Sequence, residues 1–416
     1  GTPQPNARSL PRCGVSERRA ARPPASVPAI VIGEGVTLLG AIRGLDSAGI
    51  STYAAATSRD YTRWSRCFRD LQGAPAGEYR PESLMAQLAA IPLEQAVLIP
   101  CSDSISRAVA DIPQELRDRF LHASCPPDLQ AVLTDKLRFA AALRRFDIAH
   151  PRTIEPTPGA SVQEYFPPGN TGFLLKPRDS ESFSRRYGVK ACLVTDADHA
   201  RRKLDGFERD GQGMVLQEFI PGPPTQHYFV DGFVDRHGRV RARFARRRVR
   251  IYPSGMGNSS CSVSIALSEV AEACRGLDRL LAGLGYRGIF SAEFKRDPRD
   301  GVDRLLEINA RPWWYIGFAA ECGFNAAAMA HRDALGLEVP ELTTYRVGRR
   351  CVYRRIDLKA CFRDYRQGEL GLWGLATEWL RGSSPIFKWT DPGPGLAAMA
   401  GSARNLVRVR PPRTSP

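Results

Sequence analysis

Residues 291–311 read SAEFKRDPRDGVDRLLEINAR, and this stretch decides the fold. Two runs of alternating apolar and polar residues flank the segment 297–301, DPRDG, whose composition is typical of the turn of a β-hairpin. If the chain folds back at about residue 300, Glu293 lies opposite Glu307. Asn309 then shares the face of Glu307, because side chains on a strand alternate. The apolar residues between them predict a half-buried hairpin, in which unpaired acids are costly.

The oxygen donors of this hairpin predict a site for a divalent metal ion. Two carboxylates that face each other across a strand pair repel, and a bound cation offsets the repulsion. The set of Glu293, Glu307 and Asn309 suits Mg²⁺ (or Mn²⁺), which takes few protein ligands and several phosphate or water oxygens. Arg311 lies on the same face, where its guanidinium could bind a transferring phosphoryl group or a substrate carboxylate through two parallel hydrogen bonds. A solvated hairpin face with ordinary charge alternation is the alternative.

Outside the hairpin, the chain divides into segments that differ in pattern. Residues 1–27 are rich in Pro, Arg and Ser, and we expect a disordered tail because they cannot bury enough apolar surface to offset ordering. Residues 28–125 begin with a β-rich run, a glycine loop and an amphipathic helix, which predict a small doubly wound α/β domain. Residues 126–345 carry further strands and helices, and residues 346–416 have less pattern.

The composition is ordinary for a globular protein, since 43% of the 416 residues are apolar and 25% are charged. No apolar run approaches the ~20 residues of a membrane-spanning helix, and no apolar run follows the N-terminal arginines as in a secretory signal. The ten cysteines are scattered singly without a CxxC pair, which argues against a zinc site and a disulfide framework. We therefore expect a cytoplasmic protein with no membrane partner.

The formal net charge of +15 favours anionic partners, such as a nucleotide, a phosphorylated metabolite or an acidic substrate. Nucleic acid also fits a positive charge. However, the chain has no Gly-aromatic strand motifs of the kind that RNA-binding sheets use, so we do not expect nucleic acid as a partner. An arginine-rich composition inherited from a GC-rich genome is the simpler explanation of the charge.

Arginines are concentrated in residues 241–250, which read as a β-strand. A period of two places Arg246, Arg248 and Arg250 on one face and Arg247 on the other. A nucleic-acid patch is the competing interpretation of this strand. The loop that follows, Gly255 to Ser260, suits substrate binding because glycines allow close approach of the backbone.

These motifs together resemble the ATP-grasp superfamily, whose metal site is marked by Glu-apolar-Asn-x-Arg after a strand with an upstream acid. The resemblance runs from about residue 28 to 345. It is closest to the bacterial carboxylate–amine ligases, including the D-aspartate-ligase-like group, in the segments LLKP (174–177), QEFIPG (217–222), RRRVRIYP (246–253), GYRGIFSAEFKRD (285–297) and LEINARPW (306–313).

The resemblance implies a mixed α/β and α+β architecture. A small doubly wound N-terminal domain (28–125) precedes a two-subdomain ATP-grasp fold. Its small subdomain covers 126–215, and its large subdomain, with the metal site, covers 216–345. A C-terminal extension (346–416) follows, whose role the resemblance leaves open: it caps the site, forms a dimer contact or binds the second substrate.

The resemblance also implies how ATP is bound. Lys136 matches a lysine that reaches the α-phosphate, and Lys176 matches one that spans adenine and phosphate. Ser182 lies in the loop that covers the phosphates, residues 178–190, which has serines and one glycine where many relatives have Gly-Gly-x-Gly. The hinge between the two subdomains consists of Gln217, Glu218, Phe219 and Ile220. Its backbone groups bind the edge of adenine, and it supports the ring.

One element of the family pattern is missing. The acid that usually holds the ribose hydroxyls after the hinge is absent from residues 221–227, PGPPTQH, so Gln226, His227 or water takes its place. Arg248 and Arg250 are expected beside the γ-phosphate and the acceptor, and Arg250 and Arg311 are expected to stabilise the tetrahedral intermediate.

The implied function is ATP-dependent activation of a small-molecule carboxylate as an acyl phosphate, followed by transfer to an amine, with release of ADP and phosphate. Mg-ATP is the implied cofactor, and a homodimer is a possible assembly. The first alternative keeps the fold and uses bicarbonate as the carboxylate, in a carboxylase or a carbamoyl-forming enzyme. The second is a binder of an acidic polymer that ATP regulates.

Overall fold

The computed structural model describes residues 27–71, 79–156, 165–166, 172–178, 183, 187, 191–253, 257–366 and 379–407. The predicted tail, apart from residue 27, lies outside these residues, as do Ser182 and the start of the 255–260 loop. Among the helices that are described, none combines the length and the apolar character needed to cross a bilayer.

The N-terminal unit is built on a parallel four-stranded sheet in the order β2-β1-β3-β4. Its helices follow the strands, so the predicted doubly wound pattern is confirmed. The elements are β1 (Ala29–Ile32), α1 (Gly35–Ser47), β2 (Thr52–Ala55), α2 (Leu84–Ala89), β3 (Ala96–Pro100), α3 (Asp103–Ala110), α4 (Gln114–Arg117) and β4 (Phe120–Leu121).

A second, antiparallel sheet has the order β5-β8-β6-β7. Its elements are α5 (Pro127–Thr134), α6 (Lys136–Arg145), β5 (Thr153–Ile154), β6 (Phe173–Pro177), β7 (Cys192–Val194), α7 (Ala197–Arg209) and β8 (Met214–Glu218). The Asp135 side chain caps α6 by accepting hydrogen bonds from the amides of Leu137 and Arg138. The sheet runs three residues past the boundary predicted at residue 215, because β8 ends at Glu218.

The third sheet is the largest, with the order β13-β12-β9-β10-β11-β14. It comprises β9 (His227–Val234), β10 (Val240–Tyr252), β11 (Asn258–Ile265), β12 (Gly288–Arg296), β13 (Asp303–Asn309) and β14 (Arg350–Val352), with α8 (Ala271–Gly283) between β11 and β12. The edge strand β14 comes from the predicted C-terminal extension and pairs with β11. The extension therefore completes this sheet.

The two faces of the large sheet differ in what they contact. On one face, Val230, Ala292 and Phe294 belong to a core that includes Leu277 and Leu281 of α8. The opposite face is apolar at one end, where Phe233, Phe244 and Ile289 join the core of the N-terminal unit. At its other end this face carries buried charged side chains, and these form the candidate site.

The remaining helices connect the units. After β13 come α9 (Ile316–Cys322) and α10 (Ala326–Ala334), and after β14 come α11 (Arg354–Arg366) and α12 (Gly393–Val407). Helix α1 meets α9 where Gly40 faces Gly317: a Cβ atom at Gly40 would lie 2.7 Å from the nitrogen of Gly317 and 2.9 Å from a methyl carbon of Ile316. Only a hydrogen fits there.

The extension is attached to the N-terminal unit through a second contact. Asp391, just before α12, accepts hydrogen bonds from the Arg43 Nε at 2.9 Å, the Ser65 hydroxyl at 2.6 Å and the Arg66 amide at 2.9 Å. The extension thus contacts both the large sheet and the N-terminal unit.

We predict that Gly40→Val destabilises the protein by about 1–3 kcal/mol, because the added side chain forces α1 and α9 apart. Urea unfolding followed by circular dichroism measures this. Gly206→Ala on α7, where a Cβ atom meets nothing within 4 Å, is the matched control, and it should be neutral or stabilise by up to ~1 kcal/mol. A Gly40→Val variant as stable as the wild type would contradict the close helix contact.

Candidate active site

The hairpin formed by β12 and β13 has the register expected from the sequence, with Glu293 paired to Glu307 and Ser291 to Asn309. A register shift follows Glu293, so that Phe294 pairs with Leu305. The amide nitrogen of Asn309 donates to the Glu307 carboxylate at 3.2 Å. Two carboxylates and one amide therefore lie on one hairpin.

Glu293 is held in the ionised form. Its Oε1 accepts hydrogen bonds from Nδ1 of His227 at 3.1 Å and from an Nη of Arg248 at 3.2 Å. Burial alone would raise the pKa of Glu293, but the positive charge of Arg248 and the bond from His227 outweigh burial, and the pKa is lowered. The pKa of His227 is also lowered, mainly by burial. Because a carboxylate only accepts, His227 donates its Nδ1 proton to it.

The donor chemistry fits a hard divalent cation. Glu293 is charged, Glu307 is exposed at the edge of the hairpin, and Asn309 offers an amide oxygen. No group of three or more His, Cys, Asp or Glu side chains with the geometry of a metal site occurs within the described ranges. The candidate set reaches three donors only through the amide of Asn309. The role of this set of donors in metal binding stays a prediction.

Arg311 connects this hairpin to the N-terminal unit. Its guanidinium donates to both carboxylate oxygens of Asp103, at 2.8 and 2.9 Å, and to Oδ1 of Asn309 at 3.2 Å. Asp103 begins α3, whose N-cap is the Ser102 side chain. Burial alone would lower the pKa of Arg311, but the Asp103 carboxylate raises it. Arg311 is therefore oriented by Asp103 and in turn orients Asn309.

Three arginines of β10 are buried, and each faces an acid on a different element. Arg246 donates to Asp231 of β9 at 2.7 Å, Arg248 to Glu293 of β12, and Arg250 to Asp357 of α11 at 2.9 and 2.8 Å. The predicted alternation is observed: Arg247 lies outside this group and pairs with Glu269 at the surface. Arginines bound to buried acids do not form a surface that could bind nucleic acid. The alternative interpretation of this strand, as a nucleic-acid patch, therefore has no support.

The predicted hinge lies at the end of β8. Lys176 donates from Nζ to Oε1 of Gln217 at 2.7 Å, which directs these two side chains toward each other. Glu218 faces elsewhere, because it accepts from Arg299 at 2.6 Å and from the Arg152 amide at 3.1 Å. Lys136 begins α6 and is half-buried.

Sequence reasoning missed a buried lysine at the hinge. Lys295 lies two residues from Glu293 on the same strand face, its Nζ donates to the carbonyl oxygen of Ile220 at 2.7 Å, and it lies 5.3 Å from the centre of the Phe219 ring. Burial, together with the charge of Arg248, lowers its pKa to about 8. The period of two that groups Glu307 with Asn309 would also have grouped Lys295 with Glu293.

Three acids were missed as well, namely Asp103, Asp231 and Asp357. Asp103 lies at the start of a helix, where an acid is common, and Asp231 lies within an apolar strand. Asp357 lies in the extension, 107 residues from Arg250. No local pattern predicts such pairs.

Comparison with known proteins gives one curated relative and many structural neighbours. The D-aspartate ligase of Enterococcus faecium (strain Aus0004) is 24% identical over 265 residues, which cover 60% of this chain and 61% of that protein. The chain thus matches less than two thirds of the length of this relative. No protein-family model matches.

Solved structures identify the fold. Carboxyaminoimidazole ribonucleotide synthase from Aspergillus clavatus, in complex with ATP, is similar with a TM-score of 0.59 and 13% identity over 78% of this chain and 80% of that one. The biotin carboxylase domain of Hydrogenobacter thermophilus 2-oxoglutarate carboxylase, with Mg-ADP and bicarbonate, is similar with a TM-score of 0.59 and 15% identity, over 78% and 73%. The chain therefore has the fold of these two enzymes, and the mixed α/β and α+β fold class that the motifs predicted is confirmed.

The position of Lys295 predicts a pH effect on stability. Its pKa is about 8 in the folded protein and 10.5 when unperturbed, so unfolding takes up a proton between these values. The stability of the wild type relative to Lys295→Met should therefore rise as the pH increases from 8 to 10.5, by on the order of 3 kcal/mol, and should be constant below pH 8 and above pH 10.5.

Denaturant unfolding of both proteins at several pH values measures this difference. Lys203→Met, at an exposed position of α7, is the matched control, and its stability should lie within ~0.5 kcal/mol of that of the wild type. A constant difference between the wild type and Lys295→Met would contradict the burial of a titrating ammonium at the hinge.

Proposed function

We propose that the chain is an ATP-dependent carboxylate–amine ligase that releases ADP and phosphate. The observation that carries this proposal is the pairing of Glu293 with Glu307 on one hairpin, with Asn309 beside them, in a chain with the ATP-grasp fold. Such a face suits the Mg²⁺ (or Mn²⁺) that accompanies ATP. The likeness to a D-aspartate ligase favours an amino acid as one substrate and an amine as the other.

In this proposal the nucleotide lies between the second and third sheets. Lys136 and Lys176 contact its phosphates. The hinge residues Gln217 to Ile220 hold the adenine, and His227, whose lowered pKa keeps it neutral, contacts the nucleoside next to Glu293. Water has to be kept from the site, because an acyl phosphate hydrolyses readily.

The reaction has two steps. An oxygen of the substrate carboxylate attacks the γ-phosphorus, and the oxygen that bridges the β- and γ-phosphates leaves with ADP. The amine nitrogen then attacks the acyl carbon, loses a proton, and phosphate leaves. Glu293, Glu307 and Asn309 would hold the metal ion, whose charge would offset that of the phosphates.

The arginines of this chain supply hydrogen bonds at the reacting groups. Arg248 is fixed by Glu293 and by the Ser259 hydroxyl at 2.9 Å, so its position is tied to the metal hairpin. Arg250 and Arg311 are each fixed by a carboxylate, and we assign to both the stabilisation of the oxyanion of the tetrahedral intermediate. Donors already held in place need no reorganisation during the reaction.

A ligase of this kind uses small molecules as its partners, and we propose the cytoplasm, where ATP and free amino acids meet, as its place of action. A homodimer is a possible assembly.

Coupled release of ADP and phosphate tests the proposal. The full chain is incubated with Mg-ATP and pairs of amino acids and amines, with D- and L-aspartate among the carboxylates. Release that requires both partners, with an amide product in mass spectra, is the expected result. If ADP and phosphate are released with bicarbonate alone, the chain uses the substrate of a carboxylase and the proposed pair of substrates is wrong. ATP binding without any turnover, together with salt-sensitive binding of an acidic polymer, would overturn the ligase proposal.

We predict that Glu307→Gln lowers kcat by about 10³-fold, because one of two carboxylates that balance the metal charge becomes neutral. Steady-state kinetics with the active substrate pair measures this. Glu272→Gln, at an exposed position on α8, is the control and should leave kcat unchanged. Full activity of Glu307→Gln would remove Glu307 from the metal site.

A further inference from the structure

The C-terminal extension places a buried carboxylate on an arginine of the candidate site. Asp357 of α11 has no exposed surface, and its two oxygens accept from the Nε and an Nη of Arg250 in a bidentate pair. Arg250 itself lies on β10, two residues beyond Arg248, which contacts Glu293. The extension therefore contacts the same strand from which Arg248 reaches Glu293 of the metal hairpin.

Asp357 is itself fixed by further donors. The Ser260 hydroxyl donates to Oδ1 at 2.8 Å, and the indole Nε1 of Trp379 donates to Oδ2 at 2.9 Å. Burial alone would raise the pKa of Asp357, but the bonds and charge of Arg250 lower it, so the carboxylate is ionised. A charged group held by donors from β10, β11 and the extension has little freedom to move.

Such a pair does more than neutralise charge. A guanidinium has five N–H groups in one plane, and a carboxylate that binds one edge fixes the direction of the others. An ionised partner also leaves the pair with no net charge, so that directed hydrogen bonds become the main means by which Arg250 acts.

We propose that Asp357 is a positioning residue for the ligase reaction, which orients Arg250 toward the reacting groups, and that the C-terminal extension is thereby part of the catalytic unit. This rests on the proposed function. The proposal assigns the extension a role in completing the site, through Asp357 and through β14 in the large sheet.

The experiment compares Asp357→Asn with Asp391→Asn in the full chain. Asp391 is a matched control, because it lies in the same extension, is 4% exposed, and also binds an arginine, a serine hydroxyl and a further donor. Its partners Arg43, Ser65 and Arg66 lie in the N-terminal unit, away from β10. Both variants lose stability by a similar route, so melting temperatures are measured and kinetics are run well below them.

We expect Asp357→Asn to lower kcat by about 100-fold, because a misdirected donor costs this much in a transition state, with the KM for ATP changed less than about threefold. Asp391→Asn should keep kcat within about threefold of the wild type. Ser260→Ala removes one donor from Asp357 without removing its charge, and it should lower kcat by about threefold to tenfold.

A double variant separates positioning from mere packing. If Asp357 acts through Arg250, adding Asp357→Asn to Arg250→Gln lowers kcat little further, whereas independent roles give the product of the two losses.

The outcomes distinguish the two proposals. A wild type without substrate-dependent turnover overturns the proposed function and this inference with it. An active wild type in which Asp357→Asn and Asp391→Asn behave alike, or in which the double variant shows the product of both losses, overturns this inference alone.

Discussion

The structure depends on the pairing of buried opposite charges along β10. Arg246, Arg248 and Arg250 would each be costly to bury alone, since a buried charge without a partner costs several kcal/mol. Each receives an acid from a different element: Asp231 from β9, Glu293 from β12 and Asp357 from α11. A shift in the register of β9 or β12, or a different position of α11, would leave one of these arginines without its acid. The charges therefore specify one arrangement of the sheet and the extension.

This pairing also prepares the hairpin for a cation. Glu293 is kept ionised by Arg248 and His227, although it is buried. On the neighbouring strand, Asn309 is held by Arg311, which is held by Asp103 of the N-terminal unit. Glu293 is thus fixed by partners from two other strands, and Asn309 by an arginine that the N-terminal unit holds in place. A preorganised set of this kind loses little conformational entropy when a ligand binds.

What the sequence predicts is governed by the distance between partners. The hairpin followed from alternation and a turn within 21 residues, and the face of Arg246 and Arg248 followed from the same period. The pairs Arg311–Asp103 and Arg250–Asp357 join residues 208 and 107 positions apart, and no local pattern specifies them. The strand β14 escaped prediction because it has only three residues and depends on β11 for its hydrogen bonds. Lys295 was predictable, since it shares the face of Glu293.

The contact between Arg43 and Asp391 joins residues 348 positions apart. During synthesis the first domain leaves the ribosome long before Asp391 is made, so it must persist with Arg43, Ser65 and the Arg66 amide lacking their acceptor. The contact forms only after translation has passed Asp391, and contacts of such long range slow folding. A nascent chain stalled before this point would expose an unfinished surface, which makes it a substrate for chaperones.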